Sequence, residues 1–175
     1  FAYAITLDAD GQHFPEDIPA MLQANIDNPG ALIVGERTNL DKAERSRGSR
    51  FANRFSSFWF ALQTGHRLSD TQSGYRLYPL KKLPPLGLLK SRYEAELELL
   101  VFASWAGVRL VRENVNVYYP PREERVSHFR PARDFARISL LNTILCILAL
   151  VYGYPRCILR WTARLLRTLY SAVFF

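Results

Sequence analysis

The chain's strongest constraint on its own fold is an apolar run that stops abruptly on carboxylates. Phe1-Ala-Tyr-Ala-Ile-Thr-Leu7 reads as a buried strand. Asp8-Ala9-Asp10-Gly11-Gln12-His13 follows it directly. Two carboxylates two residues apart, just past a strand end, aim their oxygens toward one small volume. Such a donor set suits a hard cation, Mg²⁺ or Mn²⁺. Magnesium is usually held by one or two carboxylates together with substrate phosphates, and Gly11 lets backbone approach such a ligand closely. The expected site is therefore a metal–diphosphate site at the edge of an α/β sheet. A turn with Asx hydrogen bonds is the plain alternative for the same residues. A helix–loop–helix calcium loop is excluded. Placing Gly11 at that loop's glycine puts Thr6 and Asp17 at the first and last ligand positions, and a strand stands where a helix is required.

The remaining sequence alternates strands with helices. Pro15-Glu16-Asp17 opens a helix, with a proline in its first turn and acids at the positive end of its dipole; Ile18, Met21, Leu22 and Ile26 form its buried stripe. Asn28-Pro29-Gly30 ends it, Ala31–Val34 is a short buried strand, and residues 35–48 are polar and loop-like. Phe51, Phe55, Phe58, Trp59 and Leu62 share one face of a helix closed by Gly65, and the stripe reads as core. Ser73–Tyr78 is a strand, Tyr93–Ala106 a helix ended by Gly107, and Val108–Tyr119 a strand with one wet face. Strands alternating with helices imply an α/β sheet with its crevice beyond the strand ends.

With 175 residues, 49% of them apolar, the chain can bury a core as one domain. It begins inside a strand with neither Met nor a signal-peptide pattern, so an N-terminal part is expected to be missing. Cys146 and Cys157 have no metal-ligand spacing and suggest a reducing compartment without a disulfide. Charge is unevenly placed: from Arg122 onward nine arginines face three acids, which accounts for +6 of the net +7.

Five motifs occur in order: Leu7–His13, Gly35-Glu-Arg37, Arg45-x-x-x-Ser49, Leu68-Ser-Asp-Thr-Gln-Ser-Gly-Tyr-Arg76 and Tyr93-Glu-Ala-Glu96. Together, over roughly residues 1–135, they resemble family 2 glycosyltransferases of the GT-A fold. The similarity is nearest to the dolichyl-phosphate mannose synthase and polyprenyl-phosphate glycosyltransferase branch. The resemblance implies the C-terminal part of a Rossmann-like nucleotide-sugar domain over 1–135, followed by a helical membrane-associating tail over 136–175. It also implies transfer of a sugar from a nucleotide-diphosphate donor, with a divalent metal on the diphosphate. The chain lacks the family's N-terminal nucleotide-binding strands, so residues 1–175 alone are expected to be inactive. It also carries Gly11 where the mannose synthases often have leucine.

Carried over residue by residue, Asp10 and Gln12 resemble metal ligands, and Asp8 a contact to the metal or the ribose. Arg37 resembles the arginine that reaches the reacting phosphates. Arg45 and Ser49, four apart at a helix start, resemble a phosphate-holding pair in which a guanidinium fork, a hydroxyl and a helix N-terminus converge on an anion. A solvated charge is the plain alternative for Arg45, which lies in an arginine-rich run. In the resemblance Asp70 faces the sugar or acceptor, and Arg76 closes the same run as a substrate-binding candidate. Asp70 would be a general base for an alcohol acceptor, whereas a lipid phosphate is already an anion near neutral pH. A turn-capping role is the alternative for Asp70. Glu94 and Glu96, at i and i+2, point to different helix faces. His128, in Ser127-His-Phe-Arg-Pro131, is a candidate contact to a phosphate or the acceptor.

The tail carries the expected location. Ile138–Tyr152 is an uncharged 15-residue stretch, short of the roughly 20 that cross a bilayer, and Gly153-Tyr154-Pro155 interrupts it. Arg156, Arg160, Arg164 and Arg167 then recur at helical spacing among aliphatic residues and Trp161. A basic amphipathic helix of this kind suits an anionic membrane interface, with a helix pair packed on the core as the alternative. Nucleic acid is not expected, because no aromatic stacking platform accompanies the arginines. The expected partners are a nucleotide-diphosphate sugar and a polyprenyl phosphate or other membrane acceptor at the cytoplasmic membrane face. A saccharide acceptor and an inactive membrane-docking module are the alternatives.

Overall fold

The computed structural model describes residues 1–37, 47–84, 93–119 and 131–174. Four strands, β1 (Tyr3–Thr6), β2 (Leu32–Arg37), β3 (Arg76–Pro79) and β4 (Leu110–Val115), form one mixed sheet in the order β1-β3-β2-β4. β3 runs antiparallel to both β1 and β2, pairing Thr6 and Val34 with Arg76, while β4 lies parallel to β2. The C-terminal ends of β1, β2 and β4 and the N-terminal end of β3 therefore meet at one edge.

The helices are α1 (Ile18–Asp27), α2 (Arg47–Thr64), α3 (Tyr93–Ala106), α4 (Pro131–Leu148) and α5 (Tyr154–Phe174). β2 reads Leu-Ile-Val because it is buried on both faces. Ile33, with Leu77 and Tyr75, packs against Met21 and Ala24 of α1. Leu32 and Val34 face the larger core, where Phe60 of α2, Leu100 and Trp105 of α3, and Leu141 and Leu145 of α4 meet. The class is α/β, with helices covering both sheet faces.

Several expectations change. β1 is an edge strand within the described residues, paired only with β3, and its residues are exposed or half-buried rather than buried. In α1 the buried positions are Met21 and Ala24, while Leu22 and Ile26 face outward. The largest correction concerns α2. Its core face is Asn53, Ser56, Phe60 and Gln63, and Phe51, Phe58 and Leu62 are exposed. Polar residues can take the inner face because each finds a partner. The Asn53 amide donates to the Ser69 carbonyl (2.7 Å), Ser56 accepts from Thr71 (2.8 Å), and Gln63 donates to Asn142 Oδ1 (3.0 Å).

The C-terminal helix is not interrupted at 153–155. A π-helical turn, Ala149–Gly153, carries the chain from α4 into α5, closed by the Tyr154 N–H on the Ala149 carbonyl. Pro155 follows directly on this turn, at the second position of α5. A side chain at Gly153 would collide with the Trp105 ring, so glycine lets the turn seat directly on α3. The helical run Ala136–Ser171, 36 residues, is long and apolar enough to cross a membrane. Its first half is seated on the body, with Leu141, Asn142, Leu145 and Ala149 buried. Arg160 donates to the Trp105 carbonyl at 2.9 Å and fixes the start of α5 beside the end of α3.

Candidate functional site

The sheet edge gathers residues from three sequence-distant segments: Asp8 after β1, Arg37 at the end of β2, and Asp70–Gly74 before β3. Arg37 and Asp70 are joined in a two-pronged pair, with Nε on Oδ2 at 2.5 Å and Nη2 on Oδ1 at 2.7 Å. Asp70 is wholly buried and Arg37 nearly so. The Gln72 N–H adds a third bond to Asp70 Oδ1 (3.2 Å). Burial works against the Arg37 charge, but the bonds and charge of Asp70, with further fields from Tyr119 and Asp8, hold its pKa above the ordinary value. The geometry leaves Nη1 as the arm of the guanidinium not engaged by Asp70.

Arg76 does a different job. Fully buried, it donates through Nε to the Ser73 carbonyl (2.8 Å), through Nη1 to the Glu96 carbonyl (2.7 Å) and through Nη2 to the Thr71 carbonyl (2.9 Å). One side chain thus ties the Asp70–Gly74 segment to α3. Glu96 stands 3.7 Å from the same guanidinium. Burial raises the Glu96 pKa, Arg76 pulls it down, and the Asp8 charge adds to the rise.

The carboxylate of Asp8 lies over the bare Cα of Gly74, where any Cβ would collide with it. Asp8 is also 3.7 Å from Nδ1 of the buried His13, whose ring packs against Tyr75 at 5.3 Å between centroids. Residues 9–12 turn through Gly11 at φ 75°, and Asp10 Oδ1 accepts from the Gln12 N–H at 3.0 Å. That bond is the Asx turn named above as the plain alternative. It occupies one oxygen of the exposed Asp10. The Tyr118 N–H donates to the Gln12 carbonyl (2.9 Å), which ties this turn to the chain leaving β4.

Among the described residues no group of three or more His, Cys, Asp or Glu side chains is placed to hold a metal. What they offer is the accessible carboxylates of Asp8 and Asp10, all-oxygen donors on a turn at the rim of the sheet. Oxygen donors of this kind are the chemistry that Mg²⁺ or Mn²⁺ takes, and two carboxylates make no closed cage.

The structure brings Asp8, Arg37, Asp70, Arg76 and Glu96 to one edge. Arg45 and His128 lie outside the described residues, Ser49 stands in the first turn of α2 with its side chain not described, and Glu94 opens α3 in the same way. His13 and Tyr119 were not singled out as site residues by the sequence. His13 is carried in the first motif, but nothing in a sequence shows that a histidine after a turn will be buried against an aspartate. Tyr119 has no sequence signal; its proximity to Arg37 comes from the direction β4 leaves the sheet.

The fold defines an α/β protein whose sheet edge gathers Asp8, Arg37 and the Asp70–Gly74 segment. No family model matches the chain. Over 104 residues it is 35% identical to the UDP-N-acetylglucosamine–dolichyl-phosphate N-acetylglucosaminyltransferase of Methanococcus voltae, covering 57% of this chain and 41% of that protein. Over 120 residues it is 31% identical to an uncharacterized protein of Methanocaldococcus jannaschii, covering 66% and 49%. The chain thus spans about half the length, or less, of these curated relatives. The first similarity supports a glycosyltransferase relationship at the family level.

Proposed function

We propose that this chain is the acceptor-side part of a GT-A, family 2-like glycosyltransferase. In this reading a sugar moves from a nucleotide-diphosphate donor to a polyprenyl phosphate at the cytoplasmic membrane face. The observation that carries the reading is the 35% identity with a transferase whose name states both a nucleotide-sugar donor and a dolichyl-phosphate acceptor. The geometry adds support of its own. A saccharide acceptor needs a base to take its hydroxyl proton, but both oxygens of Asp70 are held by Arg37 and Gln72. A phosphate oxygen is already anionic and needs no such base. It would attack the anomeric carbon directly as the bond from that carbon to the donor's β-phosphate oxygen breaks.

The roles follow from position. Asp8, Asp10 and Gln12 would hold Mg²⁺ or Mn²⁺, which when bound offsets negative charge on the departing diphosphate. Arg37 would offer Nη1, the arm that Asp70 does not engage, to a phosphate, and Asp70 keeps that guanidinium in one orientation. Arg76 positions the Asp70 segment from beneath. Arg45, Ser49 and His128 remain candidate phosphate or acceptor contacts. The test is calorimetric binding of nucleotide-diphosphate sugars to the full-length protein with and without Mn²⁺. Metal-dependent binding that Arg37→Lys weakens supports the reading, because lysine keeps the charge but loses the planar fork. Binding that is indifferent to both the metal and Arg37 discards it.

A further inference from the structure

The aromatic stripe of α2 lies on the side of the helix opposite its buried residues. Phe51 is 63% exposed, Phe58 61% and Leu62 49%, and Phe51–Phe55 and Phe58–Trp59 form ring pairs along that face. Phe55 and Trp59 between them are half-buried, and three large apolar side chains exposed along one helix face mark a contact surface. Its edge joins another. The Tyr154 hydroxyl donates to the Leu62 carbonyl, so the end of α2 abuts the junction of the π-helical turn and α5. There Leu150, Val151 and Ile158 are exposed, within the run long and apolar enough to cross a membrane.

Charge decides what covers this surface. The sequence of α2 holds no acid and three arginines, with Arg50 and Arg54 flanking the aromatic stripe. From 136 to 175 the chain has no acid at all and five arginines. Aromatic side chains edged by arginine, without acids, match the headgroup level of an anionic bilayer. A second copy of the chain would bring the same positive charges together, and an acidic partner would leave the aromatic rings without a matching apolar surface.

We propose that the exposed face of α2, together with the outer side of the π-helical turn and the start of α5, is a docking surface for an anionic lipid bilayer, with Phe51, Phe58 and Leu62 inserted at headgroup depth. The consequence is geometric. On its other face α2 holds the Asp70 segment, through Asn53 on the Ser69 carbonyl and Ser56 on Thr71. A bilayer against the aromatic stripe therefore lies one helix diameter, about 10 Å, from the loop that carries Asp70. A phosphate on a lipid would reach the sheet edge without leaving the membrane surface. This inference deepens the proposed function and takes its lipid acceptor from it.

The experiment uses the full-length protein and vesicles with and without anionic lipid, in the absence of any nucleotide sugar, so its outcome is separate from donor binding. The variant Phe51→Ser/Phe58→Ser/Leu62→Ser removes apolar surface from an exposed face and leaves the core untouched, with circular dichroism as the check on folding. Leu22→Ser/Ile26→Ser on α1 is the control, since those side chains are equally exposed on another face. The triple variant should lower partition into anionic vesicles about tenfold or more, from apolar area no longer inserted, and the α1 variant should leave it unchanged. Equal partition for the triple variant and wild type overturns the proposal. So does a triple variant that changes oligomeric state in light scattering without changing partition, which would assign the face to a second copy.

Discussion

Replacing Asp70 with alanine removes the carboxylate that holds the Arg37 fork and leaves a guanidinium in a nearly dry position. Breaking such a pair from one side costs about 3–5 kcal/mol, because a buried charge is left uncompensated. Both partners meet the condition: Asp70 is inaccessible and the Arg37 side chain is 15% exposed. The Gln72 N–H also loses its acceptor, which places the cost toward the upper part of that range. At about 2–4 °C per kcal/mol for a chain of this size, the melting temperature should fall by roughly 6–20 °C. Urea titration of the full-length protein gives the free energy, and calorimetry the midpoint. The companion Asp70→Leu/Arg37→Met removes both charges and should recover most of the loss, since hydrophobic replacement of a buried ion pair is often close to neutral. A cost below about 1 kcal/mol for Asp70→Ala, the median for surface pairs, would refute the reasoning and return the pair to a solvated contact.

Three further outcomes are expected. Asp10→Ala should abolish Mn²⁺-dependent donor binding in calorimetry while the circular dichroism spectrum stays native; unchanged metal dependence would remove Asp10 from the ligand set. Glu96→Gln should raise the melting temperature near pH 7 in metal-free buffer. The raised pKa of Glu96 means the folded state gives up its proton less readily than the unfolded chain, so wild-type stability falls as pH rises through that pKa. The advantage of the glutamine should vanish below the ordinary carboxylate range, and a pH-independent difference would contradict this. Replacing Arg156, Arg164 and Arg167 with Gln should weaken flotation with anionic vesicles, each arginine contributing on the order of 1 kcal/mol at low salt. Arg160 is kept because it bonds the Trp105 carbonyl, and flotation that is insensitive to the triple change would show that charge plays no part.

The fold was legible wherever one period dominated. Tyr93–Ala106 stands as the sequence reads it, ended by Gly107, and the Leu-Ile-Val of β2 is buried on both faces. Periodicity misled on α2, because it identifies a face without saying which way that face points. The aromatic stripe has the right spacing for a core, but Asn53, Ser56 and Gln63 find partners inside, and Phe51, Phe58 and Leu62 are turned out while Phe55 and Trp59 stay half-buried. The same ambiguity exposed Leu22 and Ile26. Gly153-Tyr154-Pro155 looks like a stop, yet a π-helical turn absorbs the proline. At the site the motif order indicated which residues matter but not how they are arranged. That both oxygens of Asp70 are engaged by Arg37, and that Arg76 is clamped to three carbonyls, come from tertiary packing around the β1-β3-β2 pairing, which no local pattern encodes.

The most direct test of the central claim is product mass after incubating the full-length protein with a panel of nucleotide-diphosphate sugars, Mn²⁺ and a short polyprenyl phosphate in anionic vesicles. The account predicts a single product heavier than the lipid phosphate by one sugar residue, formed with at least one donor and lost in Arg37→Lys. A sugar found on a saccharide acceptor and never on the lipid phosphate would contradict it.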